Sequence, residues 1–78
     1  MELEECRREI DKLDRELTDI LERRMKLVAQ VAEYKKIHHM EIYDPRREQQ
    51  VLDKIAGLAG HKALAPYLRN IYQCIMDR

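Results

Sequence analysis

The stretch Leu3–Ile37, LEECRREIDKLDRELTDILERRMKLVAQVAEYKKI, contains neither glycine nor proline. Its apolar residues recur at alternating spacings of three and four, which places them along one face of an α-helix. This apolar stripe consists of Leu3, Cys6, Ile10, Leu13, Leu17, Ile20, Leu27, Val31 and Tyr34. We therefore predict one long helix over residues 3–37, with the spacing of a coiled-coil seam.

The rest of the chain predicts two shorter helices. Asp44-Pro45 is a helix start, because aspartate caps free N–H groups and proline is tolerated at the first helical position. The second helix is expected over about 44–59, with Gly60 as its stop signal. A third is expected over about 64–78 and reaches the last residue without a cap, so we expect the chain to be truncated there. The predicted fold is all-α, in one domain of residues 1–78.

The length of the first helix predicts a partner chain. A helix over 3–37 would run about 52 Å, whereas a compact chain of 78 residues is about 30 Å across. The remaining half of the chain cannot cover such a helix. We therefore expect an intertwined helical homodimer with three helices per chain.

Composition and charge exclude several classes of function. The 15 Lys and Arg residues balance the 15 Asp and Glu residues, which removes the electrostatic argument for nucleic acid or an anionic membrane as partner. No apolar run approaches the roughly 20 residues of a membrane span. Cys6, Cys74 and the histidines lack disulfide or metal-ligand spacing, so we expect a reduced, cytoplasmic protein without a metal.

Two cations occupy positions of the first helix where apolar residues are expected. Arg24 takes the stripe position between Ile20 and Leu27, and Lys35 lies eleven residues later on almost the same face, about 16 Å along the axis. A buried cation without a partner is costly, so together they predict an anion site. Taken singly, each cation has another explanation. It can be the polar residue that sets the register of a coiled coil, or its apolar stem can be buried while its charge reaches solvent at the edge of the interface.

The second helix repeats this pattern with an acid. Glu48 lies on the apolar face formed by Val51, Leu52 and Ile55. Acids also favour helix N-termini through the macrodipole, and a simple Arg24–Glu48 ion pair is a further explanation. From the second helix alone, a ligand-binding role and these structural roles are equally supported.

Arg7 is a candidate only in a dimer. Along one helix it is about 25 Å from Arg24, too far for both to hold one small ligand. If the long helix pairs antiparallel with its copy about a two-fold axis near Ile20, position 7 comes opposite position 33 of the partner, between Arg24 and Lys35. Such symmetry would create two identical sites, each completed by Arg7 in trans.

Short motifs, taken in order along the chain, resemble the all-helical, AroQ-class chorismate mutases. The resemblance covers essentially the whole sequence, and the ordered set at family spacing makes it specific. The matching elements are Arg7-x-x-Ile10-Asp11-x-Leu13-Asp14, Leu21-Glu22-Arg23-Arg24, Lys35, Asp44-Pro45-x-Arg47-Glu48 and, more loosely, Tyr72-Gln73-x-Ile75-Met76.

The resemblance implies an intertwined dimer that rearranges chorismate to prephenate, a step toward phenylalanine and tyrosine. It implies no cofactor and no metal, since a Claisen rearrangement is pericyclic and unimolecular. By position, the partner subunit's Arg7, together with Arg24 and Arg47, would hold the two carboxylates of the substrate.

The same resemblance assigns the remaining site residues. Lys35 would hydrogen-bond the ether oxygen of the breaking bond, while Glu48 and Asp44 would meet the ring hydroxyl. Such a site works by holding the reactive chair and by placing positive charge where the ether oxygen becomes negative. Lys35, Glu48 and Arg24 are the residues expected to act in catalysis.

One departure from the family and two alternatives remain open. Family members usually continue helix 3 past Arg78, with a serine and then a glutamine that pairs with the lysine on the ether oxygen. An isochorismate-pyruvate lyase would share the cationic pocket but typically lacks a glutamate at the position of Glu48. A non-catalytic dimerisation or regulatory module would fill the positions of Arg24 and Glu48 with apolar residues.

Overall fold

The structure is a computed structural model that describes residues 2–77. The regular elements in this range are α1 (Leu3–Ile37), α2 (Pro45–Leu58), a 3-10 turn (Lys62–Leu64) and α3 (Ala65–Met76). The prediction of an all-α fold with three helices, one of them very long, is confirmed for this range. The predicted end of the third helix at position 78 lies outside the described residues.

The chain divides into two compact units, Met1–Ile42 and Tyr43–Arg78. The first unit contains α1 and the segment directly after it. The second contains α2, the 3-10 turn and α3.

Charges at the two ends of α1 suit its dipole. Glu4 and Glu5 lie in the first turn, and Lys35 and Lys36 lie in the last. Glu2, at the N-cap position, makes no hydrogen bond to the helix with its side chain. Local charge interactions therefore support α1, while no described residue of this helix is buried.

The apolar stripe of α1 is exposed. Its aliphatic and aromatic members, Cys6 excepted, are between 50% and 63% exposed; they are Leu3, Ile10, Leu13, Leu17, Ile20, Leu27, Val31 and Tyr34. Isolated apolar residues at a surface are ordinary, whereas a stripe of eight along one helix face is typical of a contact surface. The stripe is therefore an exposed apolar surface.

The C-terminal end of α1 is closed by backbone hydrogen bonds. The N–H of Met40 donates to the carbonyl of Lys35 at 2.8 Å, and the N–H of His39 donates to the carbonyl of Lys36 at 3.3 Å. His39 has φ 55° and is the one non-glycine residue with positive φ in the described range. These bonds and this left-handed residue form a Schellman motif, which usually has glycine at that position.

The second unit begins at a side-chain cap. Asp44 Oδ1 accepts a hydrogen bond from the backbone N–H of Arg47 at 3.1 Å, and Pro45 occupies the first position of α2. The N–H of Glu48 donates to the carbonyl of Asp44 at 3.1 Å. The cap therefore fixes the first turn of α2, where three of the predicted site residues lie.

Packing of α2 against α3 forms the small core of this unit. Leu52, 6% exposed, is the one buried residue among those described. Half-buried apolar residues of both helices accompany it: Val51, Ile55, Ala56, Tyr72, Ile75 and Met76. The apolar face predicted for the second helix therefore packs against a helix of the same chain.

A polar bridge also connects α2 and α3. Asp53 Oδ1 accepts one hydrogen bond from Gln49 Nε2 and another from Arg69 Nη1, each at 3.1 Å. The Arg69 and Asp53 side chains are 39% and 63% exposed, so solvent screens their attraction. This bridge therefore contributes little to the stability of the unit.

Candidate functional site

The two predicted cations of α1 lie on its most covered face. Arg24 and Lys35 are half-buried, and so are Leu21, one turn before Arg24, and Ala32, one turn before Lys35. The spacings of three, eight and three residues in this set place all four on one side of the helix. The structure thus places Arg24 and Lys35 on a common face, about 16 Å apart along the axis.

Lys35 is held at both its backbone and its side chain. Its Nζ donates to the carbonyl oxygen of Ile42 at 3.5 Å, and its own carbonyl accepts from the N–H of Met40. A bond of 3.5 Å is at the long limit for a hydrogen bond. An ammonium has three donors, so this bond leaves two for other acceptors.

Arg7 lies in a different environment. Its side chain is 63% exposed, and its Nη1 contacts Glu4 Oε1 at 3.3 Å, one turn away. An exposed pair of this kind contributes little and exchanges partners readily. Since α1 is continuous, Arg7 stands seventeen residues before Arg24, and one chain does not bring the two together.

The other three predicted residues share the first turn of α2. Asp44 accepts the capping hydrogen bond with Oδ1, so the cap does not use its Oδ2. Arg47 is exposed and Glu48 is half-buried. A partly covered carboxylate beside a guanidinium can accept a hydrogen bond from a ligand hydroxyl or amine.

The six predicted residues therefore form three local groups. Arg24 and Lys35 share a face of α1, a group at the start of α2 contains Asp44, Arg47 and Glu48, and Arg7 stands apart. Positive charge dominates the set, which suits a ligand with two carboxylates.

Two structural features were missed by the sequence reasoning. The left-handed conformation of His39 gives no sequence signal, because glycine or asparagine is the usual mark of such a position. The Asp53–Arg69 bridge joins residues of different helices, whereas charge patterns reveal only pairs one turn apart.

Neither a metal centre nor a membrane span is found in the described range. Residues 2–77 contain no group of three or more His, Cys, Asp or Glu side chains that could hold a metal ion. None of their helices combines the length and hydrophobicity that a bilayer crossing requires.

One family model and several known proteins match this chain. The family model described as chorismate mutase type II matches residues 6–78. The chain is 39% identical over 57 residues to the bifunctional chorismate mutase/prephenate dehydratase of Aquifex aeolicus, which covers 73% of this chain and 16% of that protein. It is 46% identical over 50 residues to the T-protein of Haemophilus influenzae, which covers 64% of this chain and 13% of that protein.

A third relative matches over most of both lengths. The 4-amino-4-deoxychorismate mutase of Streptomyces venezuelae is 36% identical over 76 residues, which covers 96% of this chain and 74% of that protein. The chain thus spans 16% and 13% of the first two relatives but nearly three quarters of this one. No solved structure matches the chain at a significant level.

These similarities confirm one prediction made from the sequence, the AroQ class. The match from residue 6 to residue 78 includes all six predicted site residues. The chain belongs to the chorismate mutase type II family.

Proposed function

We propose that this chain rearranges chorismate to prephenate in a site built from two copies of itself. The observation that carries the proposal is the half-burial of Arg24 and Lys35 on one face of α1, in a chain of this family. On this face a partly covered guanidinium suits a carboxylate of the ligand, and a partly covered ammonium suits an oxygen that becomes negative during the reaction.

The proposed chemistry requires positioning and fixed charge. Chorismate must adopt a chair in which its two reacting carbons are close, and the ether oxygen gains negative charge as its C–O bond breaks. Arg24, Arg47 and the partner subunit's Arg7 hold the carboxylates and so select that chair. Lys35 donates to the ether oxygen, where charge develops only in the transition state.

The acids of α2 complete the proposed site. Glu48 accepts a hydrogen bond from the ring hydroxyl, and its partial burial strengthens that bond. Asp44 assists through the carboxylate oxygen that the cap leaves available.

The second copy is part of the proposal, because it supplies cover for the apolar stripe. Covering eight side chains that are each at least 50% exposed would contribute on the order of 10 kcal/mol. Antiparallel pairing about an axis near Ile20 covers the stripe of one copy with that of the other. It also brings the partner subunit's Arg7 between Arg24 and Lys35, so that neither chain has a complete site alone.

A mixing experiment tests the role of Arg7 in trans. Arg7→Ala and Lys35→Ala chains, each nearly inactive alone, are exchanged into heterodimers. One of the two sites in each heterodimer regains all its residues, so a random mixture should recover about a quarter of wild-type turnover. Verified heterodimers without recovered turnover would show that Arg7 does not act across the interface.

One relative supports a second candidate substrate. The match that covers most of both chains is named 4-amino-4-deoxychorismate mutase. That substrate has an amino group where chorismate has its ring hydroxyl, and the carboxylate of Glu48 can accept from either. We propose chorismate as the main substrate, because the matching family is described as chorismate mutase and the Aquifex aeolicus relative is named as one.

Parallel assays decide between these substrates and the earlier alternatives. Purified protein is mixed with chorismate, and the loss of chorismate absorbance is measured. Acid then converts the prephenate formed to phenylpyruvate, which identifies the product. The expected result is a higher kcat/KM for chorismate than for 4-amino-4-deoxychorismate. Release of pyruvate from isochorismate would instead identify a lyase, and a folded dimer inactive on all three would identify a binding module.

The cytoplasmic location predicted from the sequence is part of this proposal. Cys6 and Cys74 are both free thiols, as is usual for proteins of a reducing compartment.

A further inference from the structure

The end of α1 has an unusual backbone conformation next to a proposed site residue. His39 adopts φ 55°, a region that side chains with a Cβ rarely enter, and its neighbours bond back to Lys35 and Lys36. Glycine would adopt this conformation without steric cost. Interactions of the adjoining chain segment must therefore favour this conformation for a histidine.

The chain after His39 returns to the side of α1. Helical side chains lean toward the N-terminus of their helix, so the Lys35 ammonium lies back along the last turns. The carbonyl of Ile42, seven residues later, is nevertheless within 3.5 Å of Lys35 Nζ. Residues 40–42 must therefore run back beside the helix, and the left-handed step at His39 produces that reversal.

Little else holds this segment in place. Met40 and Ile42 are 52% and 61% exposed, so burial of their side chains does not fix the returning chain. The ring of His38 lies 4.1 Å from that of Tyr34, but this contact precedes the reversal. The conformation of His39 and the two backbone bonds around it are thus the main constraint on the Ile42 carbonyl.

We propose that His39 is a positioning residue for Lys35: its left-handed conformation brings the Ile42 carbonyl onto one N–H of the ammonium and directs the other two toward the ligand. This inference rests on the proposed function for its catalytic consequence, though not for its geometry. Without the carbonyl, the four-carbon stem of Lys35 would sample many rotamers and the donors would lose their direction.

A series of substitutions at position 39 tests the proposal. Tolerance of the left-handed region falls in the order glycine, asparagine, alanine, valine. His39→Gly and His39→Asn should keep wild-type kcat, whereas His39→Val should lose at least about tenfold, with His39→Ala between them. KM should change less, because the arginines still hold the carboxylates. His61→Val is the matched control, since His61 has φ −116° and extended backbone suits valine.

Coupling to Lys35 separates positioning from a general effect on folding. In a Lys35→Ala background, His39→Val should cause no further loss of kcat, because the group it positions is gone. An equal loss in both backgrounds would overturn the proposal, as would losses that follow side-chain size instead of left-handed tolerance. If valine prevents folding, His39→Ala and His39→Gly provide the same contrast.

A chemical readout works without enzyme activity. Limited acetylation with acetic anhydride, read by peptide mapping, gives the modification rate of Lys35 relative to its exposed neighbour Lys36. Lys35 should react more slowly in the wild-type chain and in His39→Gly, and the two rates should converge in His39→Val. Failure of the wild type to consume chorismate would defeat the proposed function only, whereas a ratio unchanged across the series would defeat the positioning role.

Discussion

Apolar side chains pack together in the α2–α3 unit but are exposed along α1. In the first, Leu52 is 6% exposed and the charged Asp53 next to it faces solvent. Along α1, Leu17 and Ile20 are half exposed, while Arg24 and Lys35 are more covered than either. The difference shows that α2 and α3 supply a core for each other, whereas the apolar stripe of α1 is exposed, as expected if a second copy covers it.

A charge in the apolar stripe should have the largest effect, because it removes the expected partner of α1. Leu17→Glu places a carboxylate in the proposed interface, at a cost of several kcal/mol. We expect the dimer to dissociate and the helical signal to fall. Sedimentation equilibrium and far-UV circular dichroism at micromolar concentration measure both effects.

The matched control places the same charge on another face. Thr18→Glu adds a carboxylate next to position 17 but off the stripe, where Thr18 only bonds to the Asp14 carbonyl. This variant should remain dimeric and helical. A helical, monomeric Leu17→Glu chain would show that α1 needs no partner, and would remove the contrast between the two units.

Loss of the covered cation near the end of α1 should come next. Lys35→Ala should lower kcat by at least about 10²-fold, the scale seen when one oxyanion-type donor is removed. Lys36→Ala, an exposed lysine in the same turn, should leave kcat nearly unchanged. Steady-state kinetics on chorismate decides the matter. A change confined to KM would mean that Lys35 binds the ground state only.

Truncating the buried leucine should affect stability and not chemistry. Leu52→Ala should lower the free energy of unfolding by about 2–5 kcal/mol, because it leaves a cavity between α2 and α3. Gln50→Ala, on an exposed position of the same helix, should change it by about 0.5 kcal/mol or less. Urea unfolding must be done at one protein concentration, since the proposed dimer would make stability depend on concentration. Equal effects for both variants would show that this unit has no core of its own.

The smallest effect is expected at the polar bridge. A double-mutant cycle on Asp53→Ala and Arg69→Ala should give a coupling of about 1 kcal/mol or less, because both side chains are exposed. The coupling should shrink further near 1 M salt, where screening acts within about 3 Å. A coupling several times larger that persists in salt would make electrostatics, and not Leu52, the main connection between α2 and α3.

The helices were predictable because their signals are local and repeated. The run without glycine or proline and the spacing of the stripe predict α1, and Asp44-Pro45 predicts the start of α2. The candidate site residues were identifiable because charges such as Arg24 and Glu48 interrupt apolar faces; their roles stay predictions. The reversal at His39 was not predictable, since a histidine adopts this backbone conformation only when its surroundings favour it.

The continuity of α1 has a consequence for how its gene can change. One residue inserted between Arg24 and Lys35 would rotate everything beyond it by about 100°, so these two cations could no longer share one face. Even a seven-residue insertion, which keeps the face to within about 20°, would move them about 10 Å further apart. Substitutions can therefore accumulate on the side of α1 opposite the apolar stripe, whereas insertions and deletions within α1 are expected to be removed by selection. Variation in length is expected instead at residues 59–61, between α2 and the 3-10 turn.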